Sequence, residues 1–269
     1  MAEKLEVVIT ADDRASGVLG GLRGVLGGIG SIALGALAAG AAVAGAAIVG
    51  LGVVLKDSVQ AAMESENAIA QLDAVLKSTG GTAGVTREMV LGLADSLQDV
   101  TRYSDETVLG GENLLLTFTA IGKDIFPEAT QVMLDMSTAL GQDVSGSAIQ
   151  LGKALQDPIL GMTALRRVGV NFTEADKEMV KQLVESGQTL KAQKFILAEL
   201  TKEFGGSAEA AGKTFAGSLD ILNNKFDDIK EKLGMKVIPI LMLLMDKVII
   251  PLIPFIEEAA DAFGVFLTE

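Results

Sequence analysis

With 269 residues and a formal net charge of −13, the chain is long enough for one or two domains with a sizeable core. It is too acidic for non-specific nucleic-acid binding or for a polybasic membrane anchor. It has no cysteine, histidine or tryptophan, which excludes disulfides, Cys nucleophiles, Ser-His-Asp triads and nearly all zinc sites.

The N-terminus, MAEKLEVVITADDR, has mixed charge, and the apolar run after it starts late, so no cleaved secretory signal is expected. Leu5–Thr10 alternates loosely and predicts one short strand, making residues 1–13 a strand or arm. Asp12 and Asp13 offer N-caps for a helix beginning near Arg14. From Gly17 to Gly30 glycine recurs every three or four residues, in GVLGGLRGVLGGIG. That spacing suits close approach of another helix, and it equally suits a flexible linker.

Gly28–Leu55 carries no charge at all. Within it, Leu37–Leu55 is long enough to cross a bilayer, at about 1.5 Å per residue. Only eight of its residues are Leu, Ile or Val, together worth roughly −2 to −5 kcal/mol of insertion. Insertion is therefore marginal, and the segment suits a protein wall or partner helix as well as lipid. Tyr103 is the only tyrosine, so the aromatic belt of a resident membrane protein is missing. Residues 14–56 are thus expected to form a Gly/Ala-rich hydrophobic helix able to span a membrane. Gly28, Leu37, Gly40, Gly45, Ile48, Val49, Leu51, Val54 and Leu55 are the candidate contact residues.

Lys56 and Asp57 end the apolar run, and residues 57–220 read as an all-α domain of short amphipathic helices. Val59, Ala62, Met63, Ile69, Leu72, Val75 and Leu76 mark the first, closed by Gly80 and Gly81. Thr86 opens the next, and Ser104 opens one expected to end at Gly122. Further helices are predicted over Ile125–Leu140 with Pro127 early and Gly141 closing, Gly146–Gln156, Pro158–Val168, Thr173–Glu185, Thr189–Phe204, and from Ser207 onward. Thr173 with Asp176 forms a capping box.

Residues 221–269 turn apolar again but hold Asp246, Lys247, Pro239, Pro251 and Pro254. They predict proline-interrupted amphipathic helices seeking a partner, continuing into a longer parent chain. Seven of the ten methionines, Met133, Met136, Met162, Met179, Met235, Met242 and Met245, read as core or groove fillers.

Catalytic and cofactor motifs are weak. Gly206–Thr214 imitates a phosphate loop, but Ser207 stands where glycine is needed, and helix precedes it instead of strand. Gly28, Gly30 and Ala33 fit a dinucleotide fingerprint without its strand. Glu64-Ser65 and Glu185-Ser186 suggest a peptidoglycan-cleaving pair, yet aromatics for gripping glycan make up only 4% of the chain. No catalytic, cofactor-binding or metal-binding residue is expected.

Three stretches carry a family resemblance: NLLLTFTAIGKDIFPEATQVMLDMSTALGQD (113–143), SAIQLGKALQDPILGMTALRRVGVNFTEADKEMVKQLVESG (147–187) and AQKFILAELTKEFGGSAEAAGKTFAGSLDILNNKF (192–226). Together they resemble the N-terminal region of phage tail tape measure proteins, over about Lys56 to Phe226. The flanking Gly/Ala-rich and proline-punctuated segments resemble that family too. The resemblance implies a structural, non-enzymatic role, with several copies running along the tail tube lumen and setting its length. It implies the tail tube protein, tail assembly chaperones, tail tip or baseplate proteins and copies of itself as partners. It also implies residence in the host cytoplasm during assembly and contact with the host membrane at genome ejection. Members of that family are usually longer; 269 residues of continuous helix span about 400 Å, so the chain is read as a fragment or truncation. The competing readings are a stand-alone pore-forming helical protein and a peptidoglycan hydrolase.

Overall fold

The computed structural model describes residues 41–81, 84–244, 246 and 250. The expected strand at Leu5–Thr10, the glycine run at 17–30 and the stretch beyond Pro251 lie outside them. The chain divides into two compact units, Met1–Lys56 and Asp57–Glu269. In the first, residues 41–56 are helical. The second contains a bundle of helices, and no strand occurs among the described residues.

Many of the helix ends have a local chemical reason. Helix α1 (Ala41–Ser78) closes on Gly80 and Gly81, both left-handed, with the Gly81 N–H donating to the Leu76 carbonyl at 2.8 Å. Helices α2 (Arg87–Gln98) and α3 (Asp105–Leu116) start at Thr86 and Ser104, whose hydroxyls accept from Met89 and Thr107 N–H groups. Helix α4 (Phe126–Leu140) has proline in its first turn and ends at left-handed Gly141. Asp143 caps α5 (Val144–Gln156) and Asp157 caps α6 (Pro158–Leu165), which a 3-10 turn at Arg166–Val168 extends. The predicted Thr173–Asp176 box opens α7 (Glu174–Glu185). Helix α8 spans Thr189–Phe204, α9 Ser207–Gly212 and α10 Phe215–Leu244.

Four boundaries differ from expectation. Helix α3 stops at Leu116, not Gly122, because the Thr117 hydroxyl takes the Leu114 carbonyl at 2.6 Å and Phe118 turns inward. Phe118 packs against Gly152, where a Cβ would stand 2.2 Å from its ring. Helix α5 starts two residues before Gly146, since the Asp143 carboxylate accepts from the Gly146 N–H at 2.7 Å. The helix expected from Ser207 onward breaks at Lys213–Thr214, where the Thr214 hydroxyl caps the Gly217 N–H and starts α10. Pro239 does not interrupt α10, which runs through it to Leu244.

Helix α4 is the centre of the bundle. It is buried around much of its circumference, from Phe126 through Ala129, Val132, Met133 and Leu134 to Met136. It packs on α3, α5, α8 and α9; α6 closes the layer against α5, α7 and α8. Glycine sets the spacing. A Cβ at Gly111 of α3 would stand 2.6 Å from the Met133 methyl, and one at Gly161 of α6 would stand 2.3 Å from the Ala154 Cα. Two buried amides tie distant elements together. Gln193 donates to the Ala120 and Leu155 carbonyls at 2.8 and 2.9 Å, and Asn113 donates to the Ala68 carbonyl at 3.2 Å.

Glu112 is fully buried on α3. The Thr130 hydroxyl reaches its Oε1 only at 3.5 Å, and its Oε2 has no partner. Burial pushes its carboxyl well above the usual carboxylate range, so the fold holds it protonated. A raised folded-state value favours folding below about 4.5, and that advantage is lost as pH rises toward the raised value. Urea denaturation at about pH 5 and about pH 8 should therefore show a smaller loss of stability for Glu112→Gln than for the wild type. Equal losses would mean that Glu112 is not held protonated.

Candidate functional site

The sequence candidates divide by position. Gly28, Leu37 and Gly40 lie outside the described residues. Gly45, Ile48, Val49, Leu51, Val54 and Leu55 all fall within α1, and Val54 and Leu55 are exposed. No helix among the described residues is long and apolar enough to cross a membrane, and the expected span from Leu37 begins outside them. The described part of the uncharged run is Ala41–Leu55. Lys56 and Asp57 then follow in the same helix.

The phosphate-loop imitation is a helix start after a glycine turn. Gly206 is left-handed at the N-cap of α9, and the carboxylate of Asp135 on α4 accepts from the Gly206 and Ala208 N–H groups at 3.2 and 2.9 Å. An internal acid thus occupies that helix end. The two Glu-Ser pairs sit on different helices. Glu64 accepts from Gln60 at 2.9 Å, Ser65 donates to Glu231 at 2.7 Å, and the Ser186 hydroxyl bonds its own helix at Leu183. No group of three or more acidic residues among the described residues is placed to hold a metal ion.

The most developed polar constellation lies where α10 meets α1 and the α2–α3 corner. Glycine again permits contact: a Cβ at Gly234 of α10 would stand 1.9 Å from the Ser58 carbonyl oxygen, and one at Gly212, the last residue of α9, would stand 2.5 Å from that of Val100. Around these contacts Lys225 pairs with Asp99, and Arg102 with Asp220 at 2.9 Å. Gln98 is the hinge of the network. Its amide donates to the Asp228 carboxylate at 3.1 Å, and its carbonyl oxygen accepts from the Asp105 N–H at 2.7 Å. Beside it runs a polar cleft of about 330 Å³ lined by Asp57, Glu64, Glu106, Asp227 and Lys230. The arrangement holds a helix in place by polar contacts and contains no nucleophile paired with a base.

Sequence reading missed Gln98, Asp105, Asp135 and Asp228. Their partners stand from seven to 130 residues away, and nothing in local spacing marks them. Asp105 is the sensitive member. Burial, then the charges of Glu106, Asp228 and Glu231, push its carboxyl from 3.8 up to about 7. The sign is that of a raised acid: the docked state gains most below about 4, and loses that gain as pH rises to about 7. Hydrogen-exchange protection of α10 should fall across that window, and Asp105→Asn should flatten the fall. A pH-independent wild type would refute it.

Comparison with known proteins adds one finding. A family model described as "Prophage tail length tape measure protein" matches residues 16–181. No curated protein and no solved structure matches.

Proposed function

The chain belongs to the prophage tail length tape measure family, and we propose that within the phage tail it sets the length of the tube during assembly. The observation that carries this reading is the family match over residues 16–181, which takes in most of the bundle from α1 into α7. The all-helical bundle supports it, because a helix is the secondary structure whose length converts most directly from residue count, at about 1.5 Å per residue.

In this proposal residues 57–220 form a domain in the free chain that opens into extended helix within the tube. The buried polar groups Glu112, Asn113 and Gln193 support that step. Asn113 and Gln193 hold the fold together only while their distant partners are in place, and Glu112 is a buried acid with one oxygen unpartnered. Residues 221–269 act as an interaction arm. The tail tube protein, assembly chaperones, tail tip or baseplate proteins and further copies of the chain are its proposed partners, and its proposed role is structural and without catalysis.

Electron microscopy of tails tests the ruler. An in-frame deletion of about 24 residues within 61–204 should shorten tails by about 36 Å if this region is stretched along the tube. Tails of unchanged length would remove the measuring role from this region.

A transient contact of residues 14–56 with the host membrane at ejection belongs to the same proposal. It is supported by the uncharged run Gly28–Leu55. Dye release from liposomes should drop when residues 28–55 are deleted; unchanged release would sink this part alone.

A further inference from the structure

Helix α10 is amphipathic in the reverse sense. The side it turns to its own domain carries Gly217, Asn224, Asp228, Glu231 and Gly234, in contact with Ala211, Arg102, Gln98, Ser65 and Ser58. The opposite side carries Phe215, Leu219, Leu222, Phe226, Ile229 and Leu233. Phe215 is 83% exposed, Leu219, Leu222, Phe226 and Ile229 are between 45% and 54% exposed, and Leu233 at the end of the stripe is half-buried. Their spacing is four, three, four, three, four. That is the seven-residue repeat of a helix-pairing seam, sustained over about 28 Å. A helix that turns half-buried polar groups to its own domain and leaves such a stripe largely in water is built to receive another helix.

The residues flanking the seam decide which helix. In the seven-residue register, the charged residues directly beside the stripe are Lys225, Lys230 and Lys232. The acids Asp220, Asp227, Asp228 and Glu231 lie farther round the helix. A second copy of α10 would set lysine against lysine in either orientation, which opposes self-pairing. Lys225 and Lys230 pair with Asp99 and Asp227 in the free chain. Such exposed pairs are worth about 0–1 kcal/mol, so a partner exchanges them cheaply. Lys232 makes no ion pair among the described residues. Lys236 takes the next seam position and ends the stripe.

We propose that the outer face of α10 docks an amphipathic helix of a different protein, with an apolar seven-residue repeat flanked by Glu or Asp. The surface lies beyond residues 16–181, so the family match does not account for it. It deepens the role of the interaction arm proposed above, and it stands even if the tail-length reading fails.

The test uses the full chain and two synthetic helical peptides of about four heptads with identical Leu/Ile seams, one flanked by Glu and one by Lys. Fluorescence anisotropy should show the Glu-flanked peptide binding at least about tenfold more tightly, a difference of about 1.4 kcal/mol. Phe226→Glu should abolish that binding while circular dichroism stays unchanged. Leu222→Lys is a second exposed variant expected to do the same. Reversing Lys225, Lys230 and Lys232 to Glu should switch preference to the Lys-flanked peptide. Equal binding of the two peptides, or binding indifferent to Phe226→Glu and Leu222→Lys, would overturn the proposal. So would light scattering that shows Phe226-dependent self-association, or Phe226-dependent binding to phosphatidylglycerol vesicles without peptide binding.

Discussion

The bundle depends on helices coming closer than side chains normally allow. At Gly111, Gly152 and Gly161 the neighbouring atoms occupy the space a Cβ would need, so α3, α5 and α6 seat directly against Met133, Phe118 and Ala154. Helix α4 fills the resulting centre and is surrounded by α3, α5, α8 and α9. Interiors pack at crystal-like density, and small residues at contact points are how short helices reach it. Glycine lowers helix propensity by about 1 kcal/mol relative to alanine. In this bundle tertiary packing compensates for that weakness.

The same core holds an unusual set of polar groups. Gln193 bridges two loop and helix ends, Asn113 reaches back to α1, and Asp135 caps α9 from across the bundle. Each bond depends on elements far apart in the chain, so the bonds form together and are lost together. Glu112 adds an acid held neutral by burial. A core of this kind specifies one arrangement without adding much stability.

Helix α10 obeys a different logic. It meets α1 and the α2–α3 corner through glycine, amide and carboxylate, while its phenylalanines and leucines face outward. For a member of a tail protein family, whose work is done in contact with other tail proteins, an apolar face left open is a working surface. The acids at its inner contact tie that docking to pH through Asp105, whose neighbours Glu106, Asp228 and Glu231 all carry the same charge.

Much of the architecture was legible in the chain itself. The all-α class, the starts at Thr86, Ser104 and Thr173, the stops at Gly81 and Gly141 and the span Thr189–Phe204 follow from caps, glycines and apolar spacing. These signals are local, because a cap or a left-handed glycine acts within one turn. The family resemblance was legible as well, and the family match over residues 16–181 supports it. What the sequence could not decide rests on partners distant in the chain. Helix α3 ends early because Phe118 finds Gly152, and α10 runs unbroken through Pro239. Asp135 caps a helix 71 residues away, and Asp105 is raised by acids on a helix more than 120 residues later. Periodicity shows that a helix has an apolar side. Only the tertiary structure decides whether that side faces inward, and in α10 close backbone approach at glycine and the polar contacts around Gln98 turn it outward.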